Sequence, residues 1–121
     1  MIVSTKPRRK NAGRPADKDA PRFLQWLRGR ECILADQGGC DGKLEAAHLD
    51  FAGGKGVGTK VADRYAVPMC QAHHRLQHTI GWPALMLRMG VGAGPLLDAA
   101  KRFWLAWPGR PAWERKLEDR A

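Results

Sequence analysis

The 121-residue sequence predicts a small α+β domain, in which two short extended segments and a following helix are pinned by a metal knuckle and flanked by further helices. Three observations lead there. All three cysteines and all four histidines fall between positions 32 and 78, as befits a chain too short to bury a large core without a staple. Within that stretch the pattern runs strand, glycine loop, strand, helix. Outside it, apolar residues recur at helical spacing.

The elements follow in order. Residues 4–21, STKPRRKNAGRPADKDAP, combine Pro, Gly and charge with almost no large apolar side chain, so burial cannot offset their ordering entropy. Residues 1–21 are therefore expected to form a flexible basic arm. From Arg22 the pattern changes: Phe23, Trp26 and Leu27 form one apolar stripe of a short helix, ended by Gly29, that should lid the core. Cys32-Ile33-Leu34 and Leu44–Leu49 read as two extended pieces around a turn-rich knuckle, DQGGCDGK. The segment AGGKGVGTK (52–60) holds four glycines and reads as a loop. It matches neither the mononucleotide nor the dinucleotide phosphate-binding pattern. Tyr65-Ala66-Val67 is a strand candidate stopped by Pro68, and CQAHHRLQHT then reads as a helix of about ten residues closing near Gly81. Trp82–Met89 looks helical, and Leu96, Leu97, Ala100, Phe103, Trp104 and Trp107 mark an amphipathic helix over 95–107. Trp104 and Trp107 read as core rather than as a stacking platform for bases. The division expected is a core unit over 22–82 and a helical extension over 83–121.

Charge points to the partner. Lys plus Arg number 21 against 12 Asp plus Glu, a net charge of +9. Residues 1–31 carry +6, residues 32–79 are neutral and residues 80–121 carry +3. A neutral middle with cationic flanks suggests a chemical centre delivered to an anionic polymer, since phosphate neutralisation supplies most sequence-independent binding energy. Three cysteines cannot all pair, and no apolar export segment opens the chain, so a reducing, cytoplasmic setting is expected. No apolar run reaches the roughly 18 residues of a membrane helix.

The chemistry concentrates on the Cys/His cluster. Cys70 and His73, at i and i+3, share a helix face, and Cys32 and Cys40 bracket the upstream turn. Together they offer a tetrahedral three-Cys, one-His site of the structural zinc type. The gap between Cys32 and Cys40 is wider than usual for such sites, so buried thiols without metal are the competing reading, and His74 is the competing fourth ligand. His74 and His78, at i and i+4, lie on a second stripe about 100° round and form a platform for a different divalent ion. His48, at the end of the first strand, is then the remaining imidazole, able to take a proton from an attacking water in a phosphodiester hydrolase.

The run Cys32, Cys40, Glu45-Ala46-Ala47-His48, Val67-Pro68-Met69-Cys70-Gln71-Ala72-His73-His74 resembles the HNH, or ββα-metal, endonucleases, most closely their small phage and prophage versions. The resemblance is close over 32–82 and looser over 22–107. It implies two antiparallel strands and a helix around a catalytic divalent ion (magnesium, manganese or nickel), with a separate structural zinc. It also implies that His48 is the general base, that His74 binds the catalytic ion and that His78 is a further ligand. Two positions depart from the family pattern. Ala47 stands where many members place an Asp or His metal ligand, and no Asn lies near Tyr65 to orient the base. Asp63 is the nearest polar candidate for orienting His48 or helping the ion, with an ordinary loop or capping role as the alternative. Lys55, Lys60 and Arg64 could hold phosphates near the scissile bond or be plain loop charges, while Lys6, Arg8, Arg9 and Lys10 are expected to track the DNA backbone. The function expected is metal-dependent DNA hydrolysis. The alternative is a zinc-stabilised basic DNA-binding module without catalysis, which Ala47 keeps open.

Overall fold

In the computed structural model, described over residues 18–53 and 61–120, strand β1 (Leu44–His48) pairs antiparallel with β2 (Ala66–Cys70). The register sets Leu44 opposite Cys70, Ala47 opposite Val67 and His48 opposite Ala66. Every residue of β2 is buried, which explains its continuous apolar text, AVPMC, in place of an alternating one. Helix α1 (Pro21–Leu27) precedes the sheet, and α2 (Gln71–Met89) follows it directly. Helices α3 (Ala93–Ala106) and α4 (Arg110–Arg120) complete the described residues. None of these helices is long and apolar enough to cross a membrane.

Side-chain alternation along the strands feeds two packing centres. Ala47, Val67 and Met69 face the main core, with Trp82 and Leu85 of α2 and Leu96, Ala99 and Ala100 of α3. Ala66 instead joins an aromatic centre of Phe23, Leu27, Trp104 and Trp107. Phe23 meets Trp104 edge-on at 5.0 Å, and Trp104 meets Trp113 of α4 edge-on at 5.0 Å, the geometry that the ring quadrupoles prefer. The tryptophans of α3 are thus core residues, as their spacing suggested. Helix α3 contributes to both centres, and α4 reaches the aromatic one through Trp113.

Helix α2 breaks where its sequence says it should. Gly81 takes φ 86° and ψ 161°, outside the helical region, and Pro83 sits in the first turn of the second segment, where a missing N–H costs nothing. The second segment ends at Gly90, φ 67°. There the N–H groups of Gly90 and Val91 bond back to Leu87 and Met86, the usual closure for a left-handed residue after a helix.

Three expectations need correction. Cys32–Leu34 is not a strand: its backbone turns into a short 3-10 segment, Ala35–Gln37, with the Ile33 N–H donated to the Pro68 carbonyl at 2.8 Å. Pro68 does not stop β2 either, and lies inside it. Its carbonyl faces Ile33 rather than β1, so the missing N–H removes no bond of the ladder. Finally, the arm cannot extend to residue 21. Pro21 opens α1, Ala20 is 2% exposed, and the Trp113 indole N–H is donated to the Asp19 carbonyl at 2.7 Å. Residues 1–17 of the expected arm, including Lys6, Arg8, Arg9 and Lys10, lie outside the described residues, as do Lys55 and Lys60.

The knuckle before β1 rests on Gly42. Its φ is 83°, and a Cβ there would lie 2.6 Å from the Gln71 Cβ, at the point where the Asp41 carbonyl accepts the Ala72 N–H. Gly38 has a similar φ of 78° but faces open space. Gly38→Ala should therefore cost only the backbone part, about 1–3 kcal/mol, and Gly42→Ala more, because the steric clash with Gln71 adds to its own backbone cost. Urea unfolding of the two variants checks the difference.

Candidate functional site

Strand β2 runs straight into α2, and Cys70 is the hinge residue between them. As the N-cap of α2 its sulfur accepts the His73 N–H at 3.4 Å. One helical turn then brings the His73 ring back over that sulfur, with Nδ1 at 3.2 Å. The upstream turn delivers Cys32 and Cys40 to the same nitrogen, at 3.6 and 3.7 Å. The four ligand atoms all lie within 4.8 Å of one another. A tetrahedral zinc with Zn–S bonds of about 2.3 Å and Zn–N of about 2.0–2.1 Å would separate sulfur from nitrogen by about 3.6 Å. The cluster therefore fits a structural metal, with His73 and not His74 as its nitrogen ligand.

The thiols are set up unequally. Cys40, on the exposed side, is pushed up to about 12 by desolvation and by the crowding of the Cys70 and Cys32 sulfurs. Burial also pushes the Cys70 thiol up, but hydrogen bonds from the backbone at His73 and Asp41 and from the other thiols outweigh it, leaving Cys70 below the ordinary range.

A second constellation lies on the other side of α2. A cleft is lined by Ala46 and His48 of β1, Asp50 and Val61 of the connection, and His74, Gln77 and His78 of α2. His48 Nε2 lies 2.9 Å from Asp63 Oδ1. Asp63 is buried, and its other oxygen accepts the Ala20 N–H at 2.8 Å. The carboxylate therefore accepts from Nε2–H, which leaves Nδ1 of a neutral His48 as the acceptor nitrogen. The His48 carbonyl is held in turn by the Trp82 indole N–H at 3.0 Å. Across the cleft, His74 and His78 approach through their Nε2 atoms, 3.2 Å apart. Two imidazoles sharing one ion at bonds of about 2.0–2.1 Å would stand about 2.9–3.4 Å apart, depending on the angle at the metal.

The structure thus brings together His48, Asp63, His74 and His78. Arg64 is placed elsewhere: its guanidinium lies over the Trp104 and Trp113 rings, at 5.1 and 5.9 Å. Two functional groups escaped the sequence reading. Glu45 accepts from His74 Nδ1 at 2.7 Å, and its only signal was its place in the Glu-x-x-His run. Trp82 carried no signal beyond a helical apolar position. Ala47, in the position before the strand's histidine, is fully buried in the main core. Strand alternation points it away from the cleft, so a carboxylate there would meet apolar side chains.

Fold and site define a small α+β protein with a Cys/His cluster able to hold a metal, backed by a histidine-carboxylate cleft. Residues 6–81 match the model of the family described as protein of unknown function (DUF968), and the chain belongs to that family. The matched segment contains both constellations and ends at the break in α2. Comparison with curated proteins and with solved structures finds no significant match.

Purified protein should hold about one equivalent of zinc per chain, read by elemental analysis. Cys40→Ser or Cys70→Ser should lose it, and chelation should unfold the knuckle, because binding energy at such a site is folding energy. Zinc can bond only thiolates, so uptake at neutral pH must expel the Cys40 proton. Its heat should vary with buffer ionisation enthalpy, and its affinity should fall as pH is lowered.

Proposed function

We propose that the protein is a metal-dependent endonuclease of the HNH, ββα-metal type, which hydrolyses DNA phosphodiester bonds by nicking or cutting. The observation that carries this reading is the cleft in which an Asp63-paired His48 faces the converging Nε2 atoms of His74 and His78. A proton acceptor opposite a cation platform is what attack by water on a phosphodiester requires.

Each residue has a distinct task. His48 takes the proton of the attacking water on Nδ1, and the Asp63 carboxylate stabilises the imidazolium that results. The Trp82 bond to the His48 carbonyl keeps the end of β1 from drifting. His74 and His78 would hold the divalent ion, magnesium, manganese or nickel. When bound there, the ion supplies charge stabilisation to the phosphate and the leaving oxygen. The buried Ala47 offers the ion no ligand from the position before His48. The Cys/His cluster takes no part in the chemistry and holds α2 against β2.

The basic flanks supply the substrate affinity. The net charge of +6 on residues 1–31 and +3 on residues 80–121 suits a polyphosphate backbone. Removing residues 1–17 leaves the buried Ala20 and the bonds of residues 19 and 20 intact. This truncation should flatten the dependence of log affinity on log salt by roughly one unit for each phosphate that the arm neutralises. An unchanged slope would mean that the arm does not touch DNA.

Zinc-loaded protein incubated with supercoiled plasmid across a divalent-metal series tests the activity. Cleavage should require an added ion. His48→Ala should lose at least about a hundredfold in rate while retaining DNA affinity. His74→Ala should lose the ion but keep one zinc, since His73 and not His74 sits in the cluster. If the parent protein is inert with every ion tried, the protein is a zinc-stabilised DNA-binding module; if His48→Ala cuts as well as the parent, His48 is not the base and the proposed mechanism fails.

A further inference from the structure

Glu45 neither moves a proton nor binds the ion in the proposed hydrolysis, yet its carboxylate makes one of the shortest polar contacts in the described residues, 2.7 Å to His74 Nδ1. Stability does not account for it. The Glu45 side chain is 40% exposed, and an ion pair so wet contributes about 0–1 kcal/mol at most. Its consequence lies in the tautomer. A carboxylate can only accept, so the proton of a neutral His74 must sit on Nδ1, and the lone pair is left on Nε2. That nitrogen is the one standing 3.2 Å from His78 Nε2, in the wall of the cleft.

We infer that Glu45 is a positioning residue that makes His74 a metal ligand: it fixes the Nδ1–H tautomer and aims the Nε2 lone pair, with that of His78, at one divalent ion. The inference rests on the endonuclease reading for what the ion does, though not for its binding. The helix alone cannot do this work. The i, i+4 spacing brings the two rings together, with centroids 4.7 Å apart, but leaves ring orientation and tautomer free. Glu45 reaches His74 from β1, across the junction that Cys70 and His73 hold shut. A site built from two imidazoles with a carboxylate behind one of them suits manganese, nickel or zinc better than magnesium, which prefers oxygen donors.

The test uses the full-length, zinc-loaded chain. Manganese and nickel are titrated by calorimetry into the parent protein and into Glu45→Gln and Glu45→Ala. The His74 and His78 tautomers are read by nitrogen-15 NMR of the imidazoles. Gln can still accept from Nδ1–H, so Glu45→Gln should keep the tautomer and bind within a few-fold of the parent. Glu45→Ala should bind about 10–100-fold more weakly and lose the Nδ1–H preference, with zinc content and unfolding midpoint unchanged. If Glu45→Ala binds as tightly as the parent, or if His74 in the parent protein carries its proton on Nε2, the inference is overturned and the endonuclease reading survives. If the parent binds no second ion, both fall. If Glu45→Ala weakens binding as expected but the parent cleaves no plasmid, the inference stands and the nuclease reading fails.

Discussion

Cys70 ends β2, caps α2 and supplies a sulfur to the Cys/His cluster, so the direction in which the helix leaves the sheet depends on that one junction. The sulfur that accepts the His73 N–H is also the one over which the His73 ring returns. The positive end of the helix favours its thiolate. Cys32 and Cys40 tie the preceding turn to the same point. In a chain this small, with a two-stranded sheet too slight to be stable alone, a metal held by that cluster would cross-link three segments and do what a larger apolar core would otherwise do.

From that junction the cleft follows by geometry. Residues 73 and 74 are one step apart on the helix, so their side chains diverge by about 100°. His73 turns into the cluster, and His74 turns toward β1 with His78 one turn further on. The strand meanwhile alternates. Ala47 enters the core, and His48 emerges beside Asp63. The separation of the two constellations, one buried and one open, therefore rests on two elementary periodicities held in fixed register.

The Asp63 carboxylate links the cleft to the residues just before α1, because one oxygen faces His48 and the other accepts the Ala20 N–H. The short turn Asp63–Tyr65, which presents it, packs against α1 and α3. The aromatic centre beneath that turn is therefore scaffolding for the histidine end of the cleft, and Arg64, lying over two of its rings, belongs to that scaffold. Trp104 and Trp107, at the end of α3, complete that centre.

The sequence alone determined the α+β class, the order of strand, strand and helix, the break at Gly81 and the three cysteines of the Cys/His cluster, while the choice of His73 over His74 came from the tertiary structure. Each of the former is written in local spacing: i, i+3 and i, i+4 on a helix, alternation in a strand, glycine where the chain must turn. It did not determine what happens to Pro68, which is compatible with β2 only because its backbone faces Ile33, some 35 residues upstream. Nor did it assign Glu45 and Trp82, or choose between the open roles of Asp63. Those depend on side chains meeting across 15 to 34 positions of sequence. No local period records such a meeting, and only the closure of the tertiary structure brings it about.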